Sequence, residues 1–310
     1  MKKENAILFG PNIGEFGWEL QRSAPIIPYL KRKKYKKQRD IKFIILTRQE
    51  RFDLYGKFAD ILVPLKIPGD YEIYMPNCYR LDNFAYKEYE KIVNKFYKKY
   101  SERFNILEHI YPKIKNKLFT QKHQFPISQM IFEFSPRKRN YEIIDEHIPK
   151  DKPIIIISPR YRNNTNDPSS IKRRNWGHWN DLYDMICNSK LWKNFTFVIC
   201  GKTDEYIPDK KDRFYDISKI KTDDNSSLAG LLLVLLETAV FTCGSQSAIP
   251  NLSLLKKVEV LEFGHQRSLH TKSYNVFNTK ITFLDDRKYN IKPKIIFDQL
   301  NNLVQGKIKK

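Results

Sequence analysis

Cysteine is scarce in this 310-residue chain, and its four copies are badly placed for chemistry. Cys78, Cys187, Cys200 and Cys243 lie far apart with no C-x-x-C pair. That spacing makes neither a zinc site nor a disulfide framework, and it suits a reducing compartment. The six histidines show no H-E-x-x-H or other metal-binding spacing. Also missing are G-x-G-x-x-G and G-x-x-x-x-G-K-[ST], which argues against a dehydrogenase or a P-loop kinase. The stretch Gly244-Ser245-Gln246-Ser247-Ala248 lacks the closing glycine of a serine-hydrolase elbow.

Long apolar runs are lacking too. The greasiest stretch, Leu228 to Phe241, contains Glu237 and falls short of the roughly 20 residues a membrane span needs. The opening MKKENAILFG has a basic pair but no apolar signal region. The expectation is a soluble cytoplasmic protein, peripheral at most to the inner membrane face. Acidic residues are outnumbered, 35 Asp plus Glu against 56 Lys plus Arg, for a net charge of +21. Such a balance favours anionic partners: nucleic acid, a phospholipid surface or phosphorylated substrates. The abundance of Lys, Asn, Ile and Tyr fits a lysine-biased genome equally well, and both accounts stay open.

The apolar content, 41%, is ample for packed cores and excludes general disorder. The length allows two domains. Ala6–Phe9 reads as a strand, followed by a helix from about Gly17 to Leu30 and a basic tract from Lys31 to Arg39. Strands at Lys42–Leu46 and Ile61–Val63 complete a β-α-β-α-β order, the signature of a parallel sheet. Lysine- and tyrosine-rich helices are expected from Asn83 to Leu118. Polar, proline-flanked residues Ser135–Lys152 mark a boundary. Beyond it Pro153–Ser158, Phe195–Cys200, Tyr215–Ile217, Val240–Thr242 and Val258–Phe263 read as strands that alternate with helices. The layout is α/β: two doubly wound domains facing a cleft, residues 1–140 and 150–280, then a strand, helix and basic tail at 281–310.

Two glycine-bearing turns follow apolar strands and open helices, where open α/β sheets bind ligands. GPNIGEFGWEL (Gly10–Leu20) carries Glu15, and TCGSQSAIP (Thr242–Pro250) carries two serines. In the second turn Gly244, Ser245, Gln246 and Ser247 offer N–H groups and hydroxyls to a phosphate, with Gly244 giving close backbone approach. A plain serine-capped turn is the alternative. Arg160 and Arg162 close the PIIIISPRYR strand, and Arg173 and Arg174 precede Trp176. Guanidinium groups pair bidentately with phosphate, although a solvated basic loop is the commoner fate of such runs. Lys202, after Gly201, is a further phosphate candidate. Trp176 either stacks on a base or anchors its helix, and anchoring is the simpler reading.

The ordered set PIIIISPR, RRNW, FVICG and TCGSQSAIPNLSLL, with GEF after strand one, resembles the GT-B glycosyltransferases, most closely the heptosyltransferase-like glycosyltransferase family nine. The resemblance in the second half covers Pro153 to Gly264, about a third of the chain. It implies two Rossmann-like domains and transfer of a sugar from a nucleotide-diphosphate donor to an acceptor hydroxyl. No cofactor or metal is implied beyond the nucleotide sugar, and Asp223-Asp224 and Asp285-Asp286 form no D-x-D motif. Glu15 stands where these enzymes place an acid after glycine. An inverting transferase needs such a carboxylate to take the acceptor's proton; the alternative is a capping carboxylate.

Gly14, Phe16 and Trp18 would lie on the acceptor side. The family's Asp before its Thr-Gly is absent here, because Thr242 precedes Cys243-Gly244. Glu262 and His265 are substitutes for its sugar or ribose contact; otherwise they face water. The acceptor expected from the charge is a phosphorylated glycan, lipid or nucleic acid. Rivals are a nucleic-acid-binding protein on a transferase-like fold, using Lys98, Lys99, Lys113, Lys115, Lys117 and residues 137–139, or a transferase acting on modified DNA bases with Trp18 or Tyr161 in the pocket.

Overall fold

A computed structural model describes residues 3–12, 19–38, 40–66, 83–111, 114–115, 118–119, 129–160, 176–201, 214–264, 275–286 and 288–307. The chain forms two compact units, Met1–Arg137 and Lys138–Lys310.

In the first unit β1 (Asn5–Phe9), β2 (Lys42–Thr47), β3 (Ile61–Pro64) and β4 (Asn105–Ile110) make one sheet in the order β3-β2-β1-β4. Every pairing in it is parallel. Ala6, Leu8, Ile44 and Leu46 pack against Tyr89, Val93, Phe96 and Tyr100 of a long helix, Asn83–Ser101. Near-continuous apolar strands are what a sheet covered on both faces requires.

The first crossover is helical from Glu19 to Lys34, in three pieces: Glu19–Ser23, α1 (Ile26–Tyr29) and Leu30–Lys34. Pro25 and Pro28 supply no N–H, and the flanking turns widen: Ala24 bonds back to Glu19 and Tyr35 to Leu30, five residues away. The second crossover has tight helical turns, Gln49–Leu54 and Gly56–Phe58, in place of the expected helix.

A larger departure is β4. Ile106, Leu107 and Ile110 were expected in a helix, but Asn105–Ile110 is a parallel strand beside β1. Its register with β1 shifts at Leu107, an extra residue between the Ala6–Ile106 and Ile7–Glu108 pairs that stands 41% exposed, so its apolar residues carry no clean period of two. Pairing with β1 decides its state. A two-residue antiparallel ladder, β5 (Ile114–Lys115) with β6 (Leu118–Phe119), follows.

The second unit holds six parallel strands: β7 (Ile154–Ser158), β8 (Thr196–Ile199), β9 (Phe214–Asp216), β10 (Ala239–Ser245), β11 (Glu259–Gly264) and β12 (Ile281–Asp285). Their order is β12-β11-β10-β7-β8-β9. Counted within the unit this is 3-2-1-4-5-6, the doubly wound order whose direction reverses between its first and fourth strands. One face carries Ile155, Ile157, Phe241, Cys243, Leu261 and Phe263 against Trp179, Leu182 and Tyr183 of α3 (Trp179–Cys187; α2 is the Asn83–Ser101 helix) and Ile296, Leu300 and Val304 of the last helix, Pro293–Gln305. The chain's C-terminal strand and helix thus belong to this sheet and core.

The Leu228–Thr238 helix is buried from Ala229 through Leu236. It fits beside the Lys138–His147 helix because Gly230 leaves room for the Asn140 carboxamide. That carboxamide accepts a hydrogen bond from the Ser227 amide at 2.9 Å. Among the described residues no helix is long and apolar enough to cross a membrane.

Candidate functional site

The reversal of strand order in the second unit falls between β7 and β10, and ligands of open α/β sheets bind beyond the carboxyl ends at such a point. On one side stand Ser158, Pro159 and Arg160; on the other Ser245, Gln246 and Ser247. Two contacts join them. Arg160 Nη1 donates to the Gln246 carbonyl at 2.8 Å, and the Ser158 and Ser247 hydroxyls lie 3.3 Å apart.

The register Ser158↔Gly244↔Glu262 puts these residues in one row on one face of the sheet. A Cβ on Gly244 would stand 2.6 Å from Ser158 Cβ and 2.8 Å from its carbonyl oxygen. Glycine is needed there by the neighbouring strand, whereas the sequence suggested phosphate approach. Strand β10 also runs on to Ser245, past the expected Thr242, so Gly244 and Ser245 are strand residues and the turn is Gln246–Ser247.

The supply of backbone donors shifts accordingly. The Gln246 amide bonds to the Phe263 carbonyl at 3.0 Å, so this one backbone N–H of the turn is engaged within the sheet. Ser247 caps the Ala248–Leu255 helix in extended conformation without a side-chain cap bond. Among the described residues the first-turn amides of Ala248 and Ile249 have no side-chain cap, while Pro250 has no N–H to give. Ser245 is wholly buried, and its hydroxyl has no hydrogen-bond partner among the described residues.

Glu262 is wholly buried, so the water-facing alternative is overturned. Burial pushes the neighbouring Cys243 thiol up to about 12, which leaves it protonated and unreactive. Trp176 is an anchor: it is 1% exposed, its Nε1 donates to the Ile291 carbonyl at 2.8 Å, and its ring meets Trp179 and Phe263 edge-on at 4.8 and 5.0 Å. Gly14, Glu15, Phe16, Trp18, Tyr161, Arg162, Arg173, Arg174, Lys202 and His265 lie outside the described residues.

The first unit has its own reversal between β1 and β4, at Gly10. The Gly10 amide donates to the Ile110 carbonyl at 2.8 Å, and its carbonyl lies 2.8 Å from His109 Nε2. Gly10 has φ +100°, and a Cβ there would run into the Leu46 carbonyl. Sequence reasoning missed a buried polar cluster just beyond: Asn12, Glu19, Thr47, Arg51 and Tyr55. Glu19 accepts from Tyr55 Oη at 2.6 Å, from Arg51 Nη1 at 2.8 Å and from Thr47 Oγ1. One buried carboxylate thus gathers three donors from two elements, β2 and the turns that follow it.

The basic tract is partly neutralised. Lys31 pairs with Asp60 at 3.4 Å, Arg32 bidentately with Glu133 at 2.5 and 3.0 Å, and Lys34 with Glu108 at 2.7 Å. Arg137 clasps the buried Asp53, and Arg139 meets Glu142, Glu146 and Asp223. These arginines, considered above for nucleic-acid contact, are engaged with carboxylates.

Two parallel α/β units, the second in full doubly wound order, define the GT-B fold class. No family model and no curated protein matches the chain. Among solved structures it is similar to Escherichia coli ADP-heptose LPS heptosyltransferase II, at TM-score 0.57 and 9% identity over 99% of each chain. It is similar also to the glycosyl transferase family 9 protein of Veillonella parvula, at TM-score 0.55 and 10% identity over 99% of this chain and 97% of that one. E. coli heptosyltransferase WaaC with ADP gives TM-score 0.51 and 9% identity over 96% and 99%. What is shared at these identities is the fold.

Proposed function

We propose that this chain is a glycosyltransferase that moves a sugar from a nucleoside-diphosphate donor to an acceptor hydroxyl. The observation that carries the reading is the β7/β10 switch point. There Arg160 reaches the residue before a helix start that has no side-chain cap bond, and the strand leading into it ends on Ser245, whose buried hydroxyl has no partner among the described residues. A diphosphate is the ligand such a set suits, because guanidinium and helix-terminal N–H groups both meet phosphate oxygens. Two of the similar structures are an ADP-heptose LPS heptosyltransferase and heptosyltransferase WaaC with ADP, which supports a nucleoside diphosphate as the moiety held.

In this reading the acceptor oxygen attacks the anomeric carbon as Glu15 takes its proton. The bond from that carbon to the phosphate oxygen breaks, and the diphosphate departs with the electron pair. Arg160 and the Ala248 and Ile249 amides offset the growing charge, the work a metal ion does elsewhere. One displacement with one base inverts the anomeric centre. In the same reading Glu262, two residues before the end of β11, accepts from a donor hydroxyl. An anionic acceptor agrees with the +21 charge, as does a peripheral contact with a cytoplasmic membrane face.

Calorimetry with ADP, UDP and GDP tests the reading, and binding of at least one is expected. No binding of any of the three ends it. Glu15→Gln should keep donor binding and lose turnover; full turnover in that variant removes Glu15 from the mechanism.

A further inference from the structure

Beyond β12, Asp286 and Tyr289 return to the end of β11. The Asp286 amide bonds the Gly264 carbonyl at 2.8 Å, and the Asp286 carboxylate accepts from the amides of Lys288, at 3.1 Å, Asn290 and Ile291. The Ile291 carbonyl in turn receives the Trp176 indole. Tyr289, held between these ties, is 4% exposed and has φ +51°. A left-handed backbone is unfavourable for a bulky residue, and it persists where the surrounding bonds dictate it.

The phenol and the Gln246 side chain meet over Gly264. A Cβ on Gly264 would stand 2.6 Å from Tyr289 Oη and 3.1 Å from Gln246 Cβ. Tyr289 Oη donates to Gln246 Oε1 at 3.4 Å, a long bond that sets which end of the carboxamide faces the phenol. The backbone of Gln246 is engaged as well: its amide bonds the Phe263 carbonyl and its own carbonyl receives Arg160 Nη1. What the residue has left to give is the carboxamide NH2 group, which makes no hydrogen bond among the described residues.

We propose that Tyr289 is a positioning residue: its hydroxyl holds the oxygen of the Gln246 carboxamide, so that the NH2 group is presented at the β7/β10 switch point and donates to a phosphate oxygen of a bound nucleoside diphosphate. The inference rests on the transferase reading above for its ligand. Gln246 stands between Arg160, which grips its carbonyl, and Ser247 at the helix start, so an anion met by those groups is within reach of the side chain. Filling the core asks only for a ring, which phenylalanine supplies. Turning the chain does not ask for tyrosine either, because glycine or asparagine takes a left-handed conformation more readily. A phenol brought to the edge of the turn does serve to orient a polar group in advance, which lowers the ordering cost of binding.

A double-mutant cycle is the test, with ADP, UDP and GDP each titrated into the full chain by calorimetry. For the nucleotide that binds, Tyr289→Phe should weaken affinity about fivefold and Gln246→Ala about tenfold. The double variant should bind no more weakly than Gln246→Ala alone, because Tyr289 acts only through that carboxamide. Additive losses, or an unchanged affinity in Tyr289→Phe, overturn the proposal; a tyrosine that merely fills the core would lower the denaturation midpoint and leave affinity alone. A second measurement needs neither variant nor ligand. Side-chain NMR relaxation at Gln246 Nε2 in the unaltered protein should report a fixed carboxamide, and free reorientation overturns the proposal even if Tyr289→Phe folds poorly. Failure of the unaltered protein to bind any of the three nucleotides ends the transferase reading and the phosphate contact with it, whereas binding that ignores the cycle strikes the Tyr289 proposal alone.

Discussion

Arg160 reaches from the end of β7 to the Gln246 carbonyl, 2.8 Å away at the end of β10. The two residues bracket the point where the sheet's strand order reverses. One edge of the guanidinium thus fixes the turn, and the side chain is oriented before any ligand arrives. Preorientation of this kind lowers the ordering cost of binding an anion.

Replacing Arg160 by alanine should weaken ADP binding about tenfold or more, with lysine intermediate, since an ammonium cannot reproduce the planar fork. Isothermal calorimetry reads the effect. Equal affinity in the unaltered protein and the alanine variant would take Arg160 out of the site.

Gly244→Ala forces a methyl group against Ser158. Overpacking of this kind costs about 1–3 kcal/mol, to be read as a lower denaturation midpoint of the second unit. Adding Ser158→Gly should recover only part of the loss, because the Ser158 carbonyl oxygen still stands 2.8 Å from the new carbon. No change in midpoint for the single variant contradicts the close approach of the strands.

Trp176→Phe removes the bond to the Ile291 carbonyl and part of the ring packing. The second unit should lose about 1–3 kcal/mol with nucleotide affinity preserved. A large loss of affinity at unchanged stability would make Trp176 a base-stacking residue after all.

Burial lowers the His109 pKa from its usual value, and the Gly10 carbonyl only partly opposes this. Its ring lies among Phe96, Tyr97 and Tyr111. The unfolded chain then binds the proton more readily than the folded one. The stabilisation is complete above the unfolded value, about 6.5, and is lost as pH falls toward the lower folded value. Melting of the first unit followed from pH 7 to 5 should decline less steeply in His109→Gln, which keeps an N–H for Gly10. Superimposable slopes would refute the assignment.

The sequence made the doubly wound second unit legible because its strands are short, mostly apolar runs buried on both faces: Ile154–Ile157, Phe197–Ile199 and Val260–Phe263, the last interrupted only by Glu262. It missed β4, which is covered on one side only, and it stopped β10 at Thr242 because Gly244 and Ser245 resemble turn residues. Their place in the ladder is decided by β7 and β11, which no local pattern reveals. Arg160 was legible from its position after a buried strand. The Asn12–Tyr55–Glu19 chain was not, since it joins residues 43 and 36 positions apart. The only available cue was an acid and an arginine just after apolar segments.

Glu133 sits between two cations, Arg32 and Lys57. Any polyanion settling on this part of the first unit must displace a carboxylate already seated, trading one contact for another of equal kind. Among the described residues of the tract the outward pull then comes mainly from Lys33, Lys36 and Lys37, which stand exposed. Association through them should respond to ionic strength as a contact with only a few phosphates does, far more gently than the formal charge of the chain suggests.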